Sequence, residues 1–373
     1  ITRQTSRGWL TVVQFTATIL LIAISILTIK QVDYMKTTSL GFDKENVMII
    51  SPTEDLLNNI DAFKTDLQQN PLVETISLSS GIPGIPSNQE GFQVNDELIQ
   101  TWLWYVDGEY MKMMNFHLLE GRGFLEESEA ELGSMIINEA AKKKYGLEVG
   151  SHLMKYDNEG NPMTFQVVGV IEDFNFVSLR ENVEPFTFRY HPGTFWSWIN
   201  VKLTEGDTQS AVDYITRVYN KLSPNEPIRY YFLDDNLNLL YAKEDRQVNL
   251  ISFFSLLSLV ISVLGILGLS IFTSQYRTKE IGIRKINGAT ITEIVTLLNK
   301  GFIKWIVIAF VIATPLAYYT MTQWLENFAY KTALSWWIFV LAGFVALVVA
   351  LLTVSWQSWR AATRNPVEAL RYE

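Results

Sequence analysis

Long uncharged stretches and one large mixed region alternate along the chain. Four stretches of 21, 24, 21 and 28 residues contain no charged side chain. They are Trp9–Ile29, Leu250–Thr273, Trp305–Leu325 and Thr332–Trp359. A helix that crosses a bilayer needs about 20 apolar residues, and buried helices of soluble proteins rarely run this long without a polar face. The pattern therefore predicts four transmembrane helices, spans one to four.

Tryptophan residues lie near the ends of these spans. Amphipathic rings are favoured at both membrane interfaces, so their positions support the assignment. The residues are Trp9, Trp305, Trp324, Trp336, Trp337, Trp356 and Trp359. Pro315 lies inside the third span and predicts a kink, which neighbouring helices tolerate.

The polar region from Gln31 to Arg246 mixes short strand patterns with short helix patterns. Alternating or β-branched runs predict strands, and apolar residues three and four positions apart predict helices. The predicted strands are Asn46–Ser51, Val73–Leu78, Ile99–Val106, Met135–Ile137, Phe165–Ile171, Ile199–Leu203 and Ile228–Leu233, and the predicted helices are Leu56–Gln69 and Asp207–Leu222. Their alternation as β-α-β units predicts an α+β domain, with the strand order left open.

The segment Asp234–Gln247 leads into the second span without a cluster of Pro, Gly or Ser. We expect one continuous helix, a stalk that couples the α+β domain mechanically to the membrane; a flexible linker is the alternative. The predicted domains are an N-terminal segment with span one at 1–30, the α+β domain at 31–233, the stalk helix at 234–249 and a membrane domain with spans two to four at 250–373.

The net charge of −9 is unevenly distributed. The region from Gln31 to Arg246 holds 17 Lys+Arg and 34 Asp+Glu, a net of −17, and the remainder holds 13 and 5, a net of +8. On one side the spans are flanked by Arg3, Arg7, Arg277, Lys279, Arg284, Lys285, Lys300, Lys304, Arg360, Arg364 and Arg371. The short loop on the other side, Glu326–Ala333, carries only Lys331. The positive-inside rule therefore predicts cytoplasmic termini, a cytoplasmic middle loop and an outer acidic domain.

Sequence motifs for catalysis or ligand binding are sparse. The absence of Cys excludes disulfides, thiolate metal sites and a Cys nucleophile, and the chain has no G-x-x-x-x-G-K-[ST] or G-x-S-x-G motif. His117, His152 and His191 lack metal-ligand spacing. The run at 157–160 resembles the start of a calcium loop but predicts a hairpin turn. The acidic domain argues against nucleic acid, and we expect no enzyme activity, metal or cofactor in this chain.

The spans contain no internal Asp, Glu, Lys, Arg or His, whereas ion-coupled transporters usually keep at least one such residue, which argues against a self-contained ion pump. A unit of four helices is also too small for an aqueous path of its own, so we expect a second copy or a similar half as a partner. Span two carries a small-residue face formed by Ser258, Ser262, Gly265 and Gly268. Such a face permits close helix packing; glycines that only loosen the helix are the alternative.

The middle loop, Arg277–Lys300, contains the most specific local signals. Gly288 is predicted to end a short basic helix. Thr290 and Glu293 form a T-x-x-E capping box that is predicted to start the next helix. The basic surface has two interpretations, a positive cluster that faces membrane lipid or a docking lever for a cytoplasmic partner.

The run TKEIGIRKINGAT at 278–290 resembles the signature before the third span of FtsX/MacB-type ABC transporter permeases. The end of the chain, SWRAATRNPVEALRYE, is similar to the terminal motif of that family. The outer domain resembles the family's periplasmic core motifs in LGFDKENVMII, GEYMKMMNFHLLEGRGF, INEAAKKKYG and VVGVIEDFNFVSLRENVEPF. Members often carry two such halves, and the first residue of this chain is not Met, so we expect the C-terminal half of a longer permease.

The resemblance implies a MacB-like periplasmic core domain and an FtsX-like permease domain in a bacterial inner membrane. It also implies a separate cytoplasmic ABC ATPase that binds ATP, a second permease half (identical, similar or fused), and a periplasmic adaptor or hydrolase as a further partner. The residues that would couple to the ATPase are Arg277, Lys279, Glu280, Gly282, Arg284, Lys285 and Gly288. Gly121, Arg122, Asp173 and Phe174 would be scaffold positions of the outer domain.

The sequence leaves three functional hypotheses open. The first is efflux or export of antimicrobial peptides, antibiotics or lipophilic molecules. The second is mechanotransmission, in which the outer domain releases lipoproteins or controls a cell-wall hydrolase without substrate passing between the helices. The third is a membrane-anchored outer domain that senses or processes a ligand without an ATPase.

Overall fold

The computed structural model describes residues 2–85, 88–95, 97–125, 128–157, 159–193 and 198–363, with side chains for all of these except 2–7 and 129. These residues divide into two compact units. One, which we call the helical unit, comprises residues 1–35 and 243–373, and the other, the sheet unit, comprises residues 36–242.

The helices are α1 (Thr2–Thr37), α2 (Glu54–Asn58), α3 (Ile60–Gln68), α4 (Tyr110–Met113), α5 (Glu139–Tyr145), α6 (Thr208–Leu222), α7 (Leu233–Leu239), α8 (Ala242–Tyr276), α9 (Thr278–Ile286), α10 (Ile291–Leu325) and α11 (Trp336–Ala362). The strands are β1 (Val47–Ser51), β2 (Val73–Ser79), β3 (Gln89–Val94), β4 (Glu97–Val106), β5 (Leu118–Gly121), β6 (Ser134–Asn138), β7 (His152–Tyr156), β8 (Pro162–Ile171), β9 (Phe186–Tyr190), β10 (Trp198–Leu203) and β11 (Arg229–Phe232).

Four helices of the described chain are long and apolar enough to cross a membrane: α1, α8, α10 and α11. The prediction of four spans is therefore confirmed. The fourth helix begins at Trp336 and not at Thr332 as the uncharged stretch suggested. The reason is a side chain of α1: Gln31 accepts from the Thr332 amide and donates to the Tyr330 carbonyl, both at 2.8 Å, which holds this segment extended.

Small residues line the buried faces of α10 and α11. In each helix three alanines spaced four residues apart are at most 1% exposed. They are Ala309, Ala313 and Ala317 in α10, and Ala342, Ala346 and Ala350 in α11. All six belong to one apolar cluster that also includes Phe15 and Ile19 of α1. Close backbone approach between such faces is the usual way in which membrane helices gain van der Waals contact.

The predicted continuous stalk helix is wrong, because α7 ends at Leu239 and α8 begins at Ala242. The amides of Leu240 and Tyr241 bond to carbonyls three residues back, which tightens the end of α7. Tyr241 is 4% exposed, and its hydroxyl accepts a hydrogen bond from the Leu179 amide at 3.2 Å. Tertiary burial of one aromatic side chain therefore overrides the helical pattern.

The sheet unit is built on one sheet of eleven strands in which most neighbours run antiparallel. Only β4 with β9 and β6 with β8 pair in parallel among the described strands. The expectation of repeated β-α-β units is therefore wrong in detail, although the α+β class is confirmed. Six strands pair in a closed ring, running β4–β3–β7–β8–β6–β9 and back to β4.

Two apolar cores stabilise the sheet unit. The first packs α3 and α6 on β1, β2 and β10, and its largest members are Phe63 and Tyr219. The second belongs to the strand ring and includes Phe92, Leu103 and Phe165, which α5 covers with Ala141. A separate aromatic group surrounds Phe174, whose ring is 4.9 Å from those of Phe116 and Phe186. Burial of this much aromatic surface is the main source of stability for such a domain.

Local side chains set the helix boundaries within the sheet unit. Asp207 caps α6 by accepting from the Ser210 amide, and Asn138 caps α5 by accepting from the Ala141 amide. The predicted helix Leu56–Gln69 is split into α2 and α3 at Asn59. The predicted hairpin turn between β7 and β8 is confirmed, because the Asp157 carboxylate accepts from the amides of residues 159 and 161.

Candidate functional site: the loop between α8 and α10

The short helix α9 ends at a glycine turn. Gly288 has φ +90°, a conformation that residues with a side chain rarely adopt. The Gly288 amide bonds to the Lys285 carbonyl at 3.2 Å, and the Ala289 amide bonds to the Arg284 carbonyl at 3.0 Å. This is a Schellman motif, so the predicted role of Gly288 as the end of the helix is confirmed.

The next helix starts at the predicted capping box. The Thr290 hydroxyl accepts from the Glu293 amide at 3.3 Å, and the Thr290 amide donates to the Glu293 carboxylate at 2.8 Å. Two of the otherwise unpaired amides at the start of α10 are thereby satisfied. The chain thus reverses direction within a few residues, and both sides of the turn are fixed by hydrogen bonds.

One side of α9 packs against the rest of the helical unit. Ile281 joins Ile294, Leu298 and Ala362 in a small buried cluster. Gly282 is also buried, and the Lys285 ammonium donates to the Ala362 carbonyl at 2.8 Å. This side of α9 is therefore attached to the end of α11.

The other side of α9 is exposed. Ile283 and Ile286 are 54% and 64% exposed. Lys279 is exposed on the same side, and Arg284 forms an exposed ion pair with Glu280 at 3.0 Å. Arg277, just before the helix, is half-buried. The outward surface therefore combines two apolar side chains with cationic groups.

A shallow groove of about 570 Å³ opens along the turn. Its walls are Arg284, Asn287, Gly288, Ala289, Glu293 and Ile294. The groove is next to the exposed isoleucines and belongs entirely to the helical unit. All seven predicted coupling residues lie within the short segment 277–288. Gly282 and Lys285 face the rest of the helical unit, whereas the others are exposed or half-buried.

The small-residue face predicted on span two lies partly at a contact with α1. The Ser262 and Thr18 hydroxyls are 2.8 Å apart, and the Ser258 hydroxyl is also 2.8 Å from that of Thr18. A Cβ at Gly265 would lie 2.6 Å from the Gln14 side chain. A Cβ at Gly268 would meet nothing within 4 Å, so this glycine is not required for close packing among the described residues.

Sequence reasoning missed the closest helix contacts. A Cβ at Gly343 of α11 would lie 2.4 Å from the Phe310 ring of α10. The alanine faces of the same two helices were also missed. The alanine faces could have been found, since both spans repeat Ala at every fourth position, whereas Gly343 lies between Phe339 and Leu347 in that spacing and carries no such signal.

The four motif residues that were expected to be scaffold positions of the sheet unit make packing, ion-pair or hydrogen-bond contacts within it. Gly121 has φ +75°, and a Cβ there would lie 2.2 Å from the Val168 carbonyl oxygen. Arg122 pairs at 2.7 Å with Glu131, whose side chain is 1% exposed. Burial raises the pKa of Asp173, which accepts the Ala140 amide at 2.8 Å. Phe174 is fully buried in the aromatic group.

The architecture defines a class of integral membrane protein in which a large α+β domain is inserted between the first and second of four membrane helices. A family model for the MacB-like periplasmic core domain matches residues 15–218, and one for the FtsX-like permease C-terminal region matches residues 252–366. The first alone matches more than half of the chain. The chain therefore belongs to the family of ABC transporter permeases of the MacB/FtsX type.

Solved structures similar to this chain are periplasmic or extracellular regions of permeases. The periplasmic region of MacB from Actinobacillus actinomycetemcomitans has 15% identity and a TM-score of 0.37, with 52% of this chain and 91% of that chain covered. A domain of a putative permease protein from Porphyromonas gingivalis has 14% identity and a TM-score of 0.38, with 51% and 90% covered. The extracellular domain of the noncanonic ABC-type transporter YknZ from Gram-positive bacteria has 13% identity and a TM-score of 0.35, with 49% and 96% covered. The search of curated proteins finds no match.

Family membership makes this chain an inner-membrane protein whose sheet unit is a periplasmic domain. Permeases of this type work with ABC ATPase partners. The family is one of transporter permeases and not of enzymes. The terminal motif of the sequence, from Arg364 onward, lies outside the described residues.

Proposed function

We propose that this chain couples ATP hydrolysis by a separate cytoplasmic ATPase to movement of its periplasmic domain. ATP would bind to the partner and not to this chain. The observation that carries the proposal is the outward surface of α9, where Ile283 and Ile286 are exposed beside Lys279 and Arg284. Apolar anchors with a cationic rim are typical of a docking surface for another protein.

The attachment of α9 supports a mechanical role for this surface. A docking element transmits force only if it does not pivot freely on the membrane helices. The buried cluster around Ile281 and the bond from Lys285 to Ala362 join α9 to α10 and α11. Gly282 and Lys285 are then positioning residues, and Gly288 terminates α9. Arg277, Lys279, Glu280 and Arg284 would face the ATPase.

The orientation proposed from the basic residues agrees with this role. Cytoplasmic termini and a cytoplasmic α9 follow from the excess of Lys and Arg on that side. Two permease halves would be needed to engage a dimeric ATPase, and the second half would be an identical chain, a similar chain or a fused segment. A periplasmic adaptor or hydrolase would be a further partner.

We propose efflux or export of antimicrobial peptides, antibiotics or lipophilic molecules as the activity. The second candidate is mechanotransmission for lipoprotein release or control of a cell-wall hydrolase. The observation that favours the second is the burial of the alanine faces of α10 and α11, whose six alanines are at most 1% exposed in a cluster shared with α1. Movement of the periplasmic domain would serve both activities, and the second needs no substrate path between these helices.

The experiment is co-expression of the full chain with a candidate ABC ATPase from the same organism, followed by co-purification and ATPase assays in nanodiscs. We expect Ile283→Asp and Arg284→Glu each to abolish co-purification and stimulation of the ATPase. Lys331→Glu, in the loop on the opposite side, is the matched charge control and should leave both unchanged. Normal coupling in both α9 variants would overturn the proposal. If the α9 variants weaken the contact of α9 with lipid but still co-purify with the ATPase and stimulate it, the lipid-facing interpretation would be favoured.

A further inference from the structure

We propose that a groove beside α5 in the periplasmic domain binds a saccharide that carries a carboxylate. The groove has a volume of about 710 Å³, within the range of about 300–1,000 Å³ that is usual for small-molecule sites. It lies between α5, the start of β3, the middle of β4 and the segment that leads into β9. Its walls include Gln89, Gln100, Trp102, Lys143, Tyr145 and Glu184.

Two aromatic rings line the groove in fixed positions. The Trp102 indole N–H donates to the Glu184 carboxylate, and its ring packs 5.6 Å from that of Phe176. The Tyr145 hydroxyl donates to the Gln100 carbonyl at 2.5 Å. Rings that are already ordered lose little conformational entropy when a ligand binds. The Lys144 ammonium lies over the Tyr145 ring, 5.2 Å from its centre, so we assign the Trp102 ring as the platform for the apolar face of a sugar ring.

The rim of the groove offers polar groups that are not engaged elsewhere. The side-chain amides of Gln89 and Gln100 are exposed and make no hydrogen bond within the described chain. Each amide can both donate and accept, which matches sugar hydroxyls and N-acetyl groups. Lys143 is exposed and forms no salt bridge among the described residues, but it lies near enough to Asp173, which also lines the groove, to act to lower the pKa of that carboxyl group. Its ammonium would select an anionic substituent.

An extended peptide fits the groove less well than a saccharide. A bound peptide strand needs open backbone groups at a sheet edge. On β4 beside the groove, the Gln100 carbonyl is occupied by Tyr145, and the Trp102 amide donates to the Pro185 carbonyl at 3.1 Å. No free edge is left at these two positions, whereas stacking and side-chain hydrogen bonds remain available.

This inference goes beyond the proposed function and stands on other residues. Coupling to the ATPase depends on α9 in the helical unit, whereas saccharide binding depends on the sheet unit alone. Failure of one in its experiment therefore leaves the other open.

The test uses the full chain in nanodiscs and a matched pair of disaccharides. One probe is N-acetylglucosaminyl-N-acetylmuramic acid, which carries a lactyl carboxylate, and the other is N,N′-diacetylchitobiose, which lacks it. Saturation-transfer NMR and competition give the affinities. We expect dissociation constants of the order of 1 mM for a shallow site, with about fivefold tighter binding of the acidic probe.

Variants of the exposed Lys143, Gln89 and Gln100 side chains separate binding from folding, and the half-buried Trp102 is varied in addition. Lys143→Ala should remove the preference for the acidic probe but keep binding of the neutral one. Combined Gln89→Ala and Gln100→Ala should weaken both probes by about fivefold or more, and Trp102→Ala should abolish binding. Lys112→Ala and Gln209→Ala, on other exposed surfaces, are the matched controls and should change nothing.

Three results would overturn the proposal. The first is absence of saturation transfer to either disaccharide at 10 times the expected constant, roughly 10 mM. The second is unchanged affinity in the glutamine double variant. The third is binding of a tetra-alanine peptide when neither sugar binds, with loss of that peptide binding in Trp102→Ala. That result would make the groove a peptide site.

Discussion

The Lys285 ammonium donates to the backbone carbonyl of Ala362, the last residue of α11, at 2.8 Å. A cation at a helix carboxyl terminus satisfies an otherwise unpaired carbonyl and interacts favourably with the helix dipole. This contact joins residues 77 positions apart in the chain. It makes Lys285 a link between the proposed docking helix and a membrane helix, although its sequence neighbours Lys279 and Arg284 point outward.

Replacing this lysine should lower the stability of the helical unit. We expect Lys285→Met to lower its unfolding free energy by about 1 kcal/mol, because the Ala362 carbonyl loses its charged donor. Lys279→Met, which removes an exposed lysine of the same helix, should leave stability unchanged. Thermal unfolding of the full chain in nanodiscs measures both. Equal midpoints for the two variants would show that the link does not contribute.

Two glycines of the membrane helices should respond oppositely to the same substitution. Gly343→Ala would put a Cβ 2.4 Å from the Phe310 ring, and overpacking of this kind costs about 1–3 kcal/mol. Gly268→Ala meets nothing within 4 Å and removes the conformational freedom of a helical glycine, for a gain of about 0.5–1 kcal/mol. Unfolding midpoints of the two variants should shift in opposite directions. Shifts of the same sign would mean that α10 and α11 are not in the contact described.

Local chemistry explains why parts of this structure could be predicted. The glycine that ends α9 and the Thr290–Glu293 capping box depend only on residues within one turn. The four spans depend on composition over about 20 residues. Such features require no knowledge of distant partners, and the sequence alone therefore predicts them.

Long-range packing explains the parts that could not be predicted. The break at Leu240 depends on burial of Tyr241 against Leu179, 62 positions away. All four residues of β5 are exposed, so that strand has no alternating pattern to reveal it. The inward direction of Lys285 depends on the end of α11. In each case the deciding partner lies far away in the sequence.

Loss of the Gln31 side chain should release the segment between α10 and α11. Its amide satisfies the Tyr330 carbonyl and the Thr332 amide, and the residue is 0% exposed. Gln31→Leu leaves both backbone groups without their partner, and we expect a loss of about 2–4 kcal/mol. Hydrogen exchange of residues 326–335 should rise sharply in this variant.

The neighbouring lysine provides the control for this measurement. Lys30 donates to the Ala333 carbonyl at 3.3 Å and to the Ser335 hydroxyl at 3.4 Å, in a more exposed position. Lys30→Met should therefore change exchange much less. If the two variants exchange alike, the segment is held by its own packing and not by Gln31.

Two aspartates of the periplasmic domain should give opposite pH dependences. Burial raises the pKa of Asp173 above its usual 3.8, so its ionisation opposes folding as pH rises through the folded-state pKa. Asp173→Asn keeps an acceptor for the Ala140 amide without the charge. We expect a higher thermal midpoint than wild type at pH 7, and the difference should disappear below about pH 4.

Asp207→Asn is the matched substitution, and we expect it to shift the thermal midpoint in the opposite direction. Hydrogen bonds from the Ser210 hydroxyl and amide hold the pKa of Asp207 below 3.8, so its ionised form supports folding. That contribution is present above the unfolded-state pKa and is lost as pH falls through the folded-state pKa. Asp207→Asn should therefore lower the midpoint at pH 7, and this effect should shrink as the pH falls below 3.8 and through the folded-state pKa. Because both variants remove one negative charge from the same acidic domain, relief of general repulsion would shift both midpoints upward. A lower midpoint for Asp173→Asn, or a higher one for Asp207→Asn, would contradict burial and hydrogen bonding as the causes of the two pKa shifts.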